Sequence, residues 1–245
     1  MTALGAAVVF FFKGQGKASA QRAFLGFAAG VMVAASVWSL LMPSIERAGA
    51  LGQVPWLPAA GGFLLGCAFL FVLDFAVPEL RFGGEGADAA AYKRVSMLVF
   101  AVTLHNIPEG MAVGLACAMA ASPSAAGGEL AAALALALGI GLQNFPEGTA
   151  ISLPLRQEGM GRGKAFLYGA LSGIVEPIAG VVTVFLVAGV EAAMPWLLSF
   201  AAGAMIYVVF EELIPEAAGD GSSKIGTMGA MCGFLLMMVM DVALG

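Results

Sequence analysis

Charged residues are scarce in this sequence: they make up 11% of the 245 residues, whereas hydrophobic residues make up 60%. A soluble globular domain carries about 25% charged residues. Less than half that proportion leaves too little polar surface to cover a globule in water. The composition therefore excludes an ordinary soluble domain and favours a chain whose solvent is lipid.

Histidine and cysteine are also scarce. His105 is the only histidine, and Cys67, Cys117 and Cys232 lie far apart within apolar stretches. No C-x-x-C pair occurs, which argues against a disulfide framework and a thiolate zinc site, and we interpret the cysteines as buried small apolar residues. The net charge of −5 is not that of a nucleic-acid-binding protein. The ATP-binding motif G-x-x-x-x-G-K-[ST] is absent, so ATP-driven pumping is not indicated.

Long apolar runs separated by short polar loops divide the chain into eight segments. Roughly 20 apolar residues span a bilayer as a helix, and continuous runs exclude transmembrane strands, which alternate in polarity. We predict an all-α polytopic membrane protein, an eight-helix bundle that forms one domain over residues 1–245. The first segment would rise only about 18 Å, so we expect it to be the end of a longer helix. The segments are 1–12, 22–42, 58–78, 95–121, 128–155, 165–190, 195–215 and 225–244.

The distribution of basic residues predicts the orientation, because cytoplasmic loops are enriched in Lys and Arg. Only Arg47 follows an even-numbered segment. The loops after the odd-numbered segments are therefore predicted to be cytoplasmic, with both termini outside, in the plasma or inner membrane of a cell. The other ten of the eleven basic residues follow segments 1, 3, 5 and 7, and they are Lys13, Lys17, Arg22, Arg81, Lys93, Arg94, Arg156, Arg162, Lys164 and Lys224.

Glycines four residues apart recur in the apolar segments. Such pairs let helix backbones approach closely in lipid. We interpret them as tight helix packing, and a homodimer face remains an open alternative. The pairs are Gly26 and Gly30, Gly62 and Gly66, Gly169 and Gly173, and Gly229 and Gly233.

Acidic residues lie within the spans, where neither Lys nor Arg accompanies them. Each charge at the bilayer centre costs about 3 kcal/mol. Several acids without a basic partner need another source of positive charge, and a bound or passing cation supplies it. The ionisable residues of the spans, besides His105, are Asp74, Glu109, Glu147, Glu176, Glu211, Glu212 and Asp241.

The pattern N-x-P-E-G occurs twice, within H-N-I-P-E-G at 105–110 and Q-N-F-P-E-G at 143–148. Both copies lie near the middle of their segments, as does Glu176 in the sixth. Consecutive spans run antiparallel, so the copies would face each other in an inverted repeat. Substrate sites of transporters commonly lie at such interfaces. We expect Pro108 and Pro146 to interrupt their helices and release backbone carbonyls.

The spacing within each copy brings ligand types together. His105 and Glu109 are four residues apart and share a helix face, as do Gln143 and Glu147. Imidazole nitrogen with carboxylate and amide oxygens suits Zn²⁺ and its first-row neighbours. A cage of oxygens alone would suit Ca²⁺ or Mg²⁺ better.

With these motifs the sequence resembles the ZIP (Zrt/Irt-like) family of metal transporters, in particular its bacterial GufA-like branch. Ser-Gly-Ile-Val-Glu-Pro at 172–177 matches a further family element in the sixth helix. The resemblance covers essentially the whole chain. It implies that zinc, and as further candidates iron, manganese and cadmium, are carried into the cytoplasm as substrates.

The resemblance also implies a site for two metal ions. Ligands for the first would be His105, Glu109, Gln143 and Glu147. Ligands for the second would be Asn106, Asn144 and Glu176, with Glu147 or Glu109 bridging. Gln143 and Asn144 stand where other members carry more basic or anionic ligands.

Other residues are candidates for a route to and from that site. Carboxylates at a pore mouth raise the local cation concentration. The candidates are Glu46 and Asp241 on the outer side, Asp74, Glu211 and Glu212 on the inner side, and Met32 at mid-span.

Two other functions remain as alternatives at this stage. An intramembrane metal-dependent hydrolase needs about three strong protein ligands and a general base. A single histidine and the absence of H-E-x-x-H and G-x-S-x-G argue against such an enzyme. A passive cation channel would share the acidic lining.

Overall fold

The computed structural model describes residues 1–11, 18–76, 103, 106–122, 128–157, 159–187, 191–219 and 223–244. Regular secondary structure within these ranges is helical throughout. Five helices in them are long and apolar enough to cross a membrane, and Trp56–Val72 is a shorter apolar helix. The five are Ser19–Ala50, Glu129–Leu153, Arg162–Leu186, Met194–Ala218 and Ile225–Ala243. The all-α polytopic fold is thus confirmed.

The helices follow the order of the predicted segments. The first is short, as expected: α1 (Thr2–Ala6) continues only as a 3-10 turn, Ala7–Phe10. The others are α2 (Ala18–Ala35), α3 (Met42–Ala50), α4 (Trp56–Ala76), α5 (106–120), α6 (Glu129–Gln157), α7 (Arg162–Ser172), α8 (Val175–Val187), α9 (Met194–Val208), α10 (Ile214–Ala218) and α11 (Ile225–Leu244).

Two of the long helices contain a π-helical turn just before a proline. Ser36–Leu41 joins α2 to α3 and precedes Pro43. Val209–Leu213 joins α9 to α10 and precedes Pro215. A proline inside a helix lacks an N–H donor and its ring crowds the carbonyl four residues earlier. Widening the preceding turn relieves that crowding without ending the helix.

Glycines allow the helix pair α2 and α11 to touch backbone to backbone. A Cβ at Gly30 would overlap the carbonyl oxygen of Ala230, and one at Gly233 would overlap that of Phe27. α4 packs against α9, and α1 packs against α6 and α7. The interpretation of these glycine pairs as helix packing is confirmed, and the contacts they make lie within the chain.

The interior is apolar and the helices also show apolar side chains outward. Buried residues of α2, α5, α6, α9 and α11 form the main core, which includes Met32, Leu115, Leu136, Met205 and Met237. Outward-facing residues such as Phe71, Phe185 and Val242 are more than half exposed. An outward apolar surface of this kind suits lipid contact rather than water.

Two expectations fail. Cys117 and Cys232 are exposed and Cys67 is half-buried, so the prediction of three buried cysteines is wrong. Thiols tolerate lipid contact as small apolar groups do. The expected interruption at Pro146 is also wrong, because α6 is continuous from Glu129 to Gln157. The described part of the sixth segment is interrupted instead, at residues 173–174 between α7 and α8.

Candidate metal site

Side chains from α5, α6 and α8 converge in the middle of the bundle. Asn106 and Glu109 on α5, and Gln143 and Asn144 on α6, are at most 2% exposed. Glu176 lies in the first turn of α8. Both N-x-P-E-G copies therefore supply buried polar residues to one place, as the sequence predicts. His105 lies outside the described residues.

Amide groups link the carboxylates of the three helices. The Gln143 Nε2 atom donates to Glu109 Oε1 on α5 and, at 2.9 Å, to Asn144 Oδ1. The Asn144 Nδ2 atom donates to Glu176 Oε2 on α8 at 2.5 Å. Gln143 and Asn144 therefore hold the carboxylates of Glu109 and Glu176 in place through their amide nitrogens.

Three buried oxygens of the two hexapeptides have no hydrogen-bond partner within the described part of the chain. They are Asn106 Oδ1, Glu109 Oε2 and Glu147 Oε2. The amide nitrogen of Asn106 donates to the Ser172 carbonyl at 2.9 Å, which directs the other end of the side chain away from that bond. Buried polar atoms almost always have partners, because an unpaired one costs the free energy of its desolvation. A cation would satisfy these oxygens.

The acidic groups of the site act on one another. Glu147 interacts electrostatically with Glu109, Glu176 and Glu212, and Glu109 with Glu176. Repulsion among carboxylates in a low-dielectric interior is strong. Among the described residues, however, no group of three or more His, Cys, Asp or Glu side chains is placed to hold a metal ion. A metal ion at this position would therefore need further donors, and the amide oxygens of Asn106, Gln143 and Asn144 are the candidates.

The glycine that ends each hexapeptide has a packing role. A Cβ at Gly110 would overlap the backbone carbonyl of Glu176, and one at Gly148 would overlap that of Thr2. The same motif position thus holds α5 against α8 and α6 against α1. This contact explains why each Glu of the motif is followed by Gly, because the missing side chain lets another helix approach within one residue of the glutamate.

One cavity contains both candidates for the outer side. Glu46 and Asp241 line a space of about 740 Å³ where α3, the start of α6 and the end of α11 meet. Glu46 is exposed, whereas Asp241 is 8% exposed and accepts a hydrogen bond from Ser39 Oγ at 2.6 Å. Its second oxygen, Oδ2, is buried without a partner in the described ranges. The sequence did not single out Ser39, because a serine within an apolar helix carries no pattern that marks it.

The other candidates lie elsewhere. Glu211 and Glu212 are within the π turn before α10, and Glu212 interacts electrostatically with both Glu147 and Glu216. Glu216, which no motif in the sequence marked, thus extends the row of interacting carboxylates from Glu147 through Glu212 and away from the site. Met32 is fully buried in the core, and the side chain of Asp74, late in α4, lies outside the described structure.

Comparison with known proteins identifies the family. Residues 82–241 match the family model described as the ZIP zinc transporter. The whole chain aligns at 37% identity with zinc transporter ZIP11 of Homo sapiens, covering 94% of that protein. It aligns in full with zinc transporter ZIPB of Bordetella bronchiseptica at 41% identity, covering 78% of it. Zinc transporter GufA of Myxococcus xanthus is 38% identical over 85% of this chain and 81% of its own.

The three motifs at 105–110, 143–148 and 172–177 all lie within the range that matches the family model. The resemblance read from the sequence is confirmed, its GufA-like branch included, and the chain belongs to the ZIP family of zinc transporters.

Proposed function

We propose that this protein carries divalent transition-metal cations, zinc foremost, into the cytoplasm through the site where α5, α6 and α8 meet. The observation that carries the proposal is the set of three buried, unpartnered oxygens on Asn106, Glu109 and Glu147. They come from both copies of one motif and lie among like charges. His105, one residue before Asn106, would add a nitrogen ligand, which favours zinc over calcium or magnesium. Iron, manganese and cadmium are further substrates to test.

The site would hold two neighbouring ions. Glu109 and Glu147 interact electrostatically with Glu176, which supports a bridging carboxylate between two positions. The second position would use Asn106, Asn144 and Glu176. Because the Asn144 amide donates to Glu176, a cation there requires that amide to turn its oxygen inward. We therefore expect the first position to bind more tightly than the second.

The route would run from the cavity of Glu46 and Asp241 to the site and onward past Glu212. The buried oxygen of Asp241, which has no partner in the described ranges, and the electrostatic influence of Glu212 on Glu147 support these two ends. By the distribution of basic residues, the Asp241 end would face outward and both termini would be external. A homodimer would use a surface other than the glycines that pack α2 on α11. Membership of a transporter family argues against the hydrolase alternative.

Zinc flux into proteoliposomes tests the proposal. The wild type should take up zinc with saturable kinetics, whereas a passive channel would show flux that rises without saturation. Glu147→Ala and His105→Ala should both abolish zinc uptake while leaving folded protein in the membrane. For Glu147→Ala, removing an unpaired buried acid relieves a desolvation cost.

Ser152→Ala is the matched control on the same helix. Ser152 is fully buried and its Oγ also lacks a hydrogen-bond partner in the described structure, but it is not part of the ligand set. This variant should transport zinc as the wild type does. Unchanged zinc uptake by Glu147→Ala would refute the proposed site.

A further inference from the structure

The carboxylate of Glu176 is held at both oxygens by other helices. Asn144 on α6 donates to Oε2 at 2.5 Å, and Thr2 on α1 donates to Oε1 at 3.1 Å. Thr2 is only 4% exposed and lies 174 residues away in sequence. Glu176 follows the break at 173–174, so no continuous helix from α7 fixes its backbone. The direction of its carboxylate therefore depends on these two donors.

Helix α1 is itself fixed against α6. The Thr149 hydroxyl donates to the Gly5 carbonyl at 2.9 Å, and a Cβ at Gly5 or Gly148 would overlap the backbone of the facing helix. A Cβ at Gly173 would lie 2.8 Å from the Thr2 hydroxyl oxygen. The absence of side chains at these points leaves Thr2 room to reach Glu176, and the tight contact leaves it little freedom to move away.

We infer that Thr2 is a positioning residue for the metal site, which orients the Glu176 carboxylate toward the ion through its hydroxyl. The inference rests on the proposed function and adds a role for α1 in the metal site. Groups that hydrogen-bond to metal ligands orient them, and losing one typically lowers metal affinity about tenfold or more. Valine has the shape of threonine without the hydroxyl, so Thr2→Val removes the hydrogen bond with little change in packing.

The test compares zinc binding and transport in four forms of the full chain. Zinc flux gives KM and maximal rate, and the rise of the melting temperature with zinc concentration gives affinity without transport. Thr2→Val should raise KM about tenfold and need about tenfold more zinc for the same thermal shift. Thr2→Ser keeps the hydroxyl and should restore both values to within about twofold of the wild type.

Thr149→Val is the matched control at the same helix interface. Within the described part of the chain, its hydroxyl donates to the backbone carbonyls of Gly5 and Phe145, at 2.9 and 3.1 Å, and to no carboxylate. It should lower the zinc-free melting temperature as much as Thr2→Val does but leave KM near the wild-type value. If Thr2→Val does not fold, Thr2→Ala makes the same comparison.

The outcomes separate the two proposals. Wild-type zinc affinity in Thr2→Val, an equal loss in Thr149→Val, or no recovery in Thr2→Ser would each overturn the role of Thr2 while leaving the proposed function intact. A wild-type protein that neither binds nor carries zinc or another divalent transition metal would overturn both.

Discussion

Adding one methyl group at Gly110 should separate α5 from α8 and disable the site. The new Cβ would lie 2.8 Å from both the carbonyl carbon and the Cα of Glu176, and closer still to its carbonyl oxygen. Ordinary contact begins at 3.4 Å, so the helices must move apart by roughly 0.6 Å or more. Because the obstacle is backbone, no side-chain rotation can relieve it.

Two consequences of Gly110→Ala follow from that displacement. Overpacking of this kind typically costs about 1–3 kcal/mol, so the variant should have a lower melting temperature than the wild type. A binding site tolerates only about 0.5 Å of misplacement, so zinc uptake should fall by about 100-fold even in the molecules that remain folded.

Gly163→Ala provides the comparison. Gly163 lies in the first turn of α7, and a Cβ there would meet no atom within 4 Å. Alanine favours helix over glycine by about 0.5–1 kcal/mol, so this variant should be as stable as the wild type or slightly more stable. Melting in detergent and flux in proteoliposomes measure both variants. Wild-type stability and zinc flux in Gly110→Ala would show that the close approach of α5 and α8 is not required.

Other predictions address the route, the packing and the orientation. Asp241→Asn should raise the KM for zinc, more so at low salt, with little change in maximal rate. Glu212→Gln should instead lower the maximal rate, because release of the ion is slowed. Equal, salt-independent effects of the two variants in flux assays would contradict the route. Ser44→Ala removes a buried hydroxyl that donates to the Pro195 carbonyl at 2.7 Å, so it should cost about 1–2 kcal/mol in unfolding assays and leave zinc flux unchanged. Cysteines placed in the predicted cytoplasmic loops should resist labelling from outside intact cells. Strong labelling would show that the predicted orientation is wrong. These loops are 13–21, 79–94, 156–164 and 216–224.

The sequence alone was sufficient for the fold class, and it singled out the polar residues that meet where α5, α6 and α8 converge. Continuous apolar runs require helices, because in lipid every backbone polar group must be satisfied within its own segment. The repeated N-x-P-E-G pattern predicted that its two copies face each other, and Gln143 does donate a hydrogen bond to Glu109. Two helices that carry the same motif at the same depth can bring the copies together. Local patterns of this kind depend only on helical periodicity and segment length.

The sequence could not give the course of the helices at their prolines. The same ring that was expected to break α6 at Pro146 is accommodated in a continuous helix, while Pro43 and Pro215 follow π turns. Whether a helix bends, widens or continues depends on what neighbouring helices allow. The exposure of Cys117 and Cys232 is likewise a matter of which helix face meets lipid, and an all-round apolar helix does not reveal that face.

Only the tertiary structure decided which distant residues support the site. The hydrogen bonds from Thr2 to Glu176 and from Ser39 to Asp241 join residues 174 and 202 positions apart. A single hydroxyl in an apolar helix has no pattern of its own, because its role depends on the atom that faces it from another helix. The sequence thus determined which groups could bind a cation, and packing between helices determined which of their oxygens are held and which are left free.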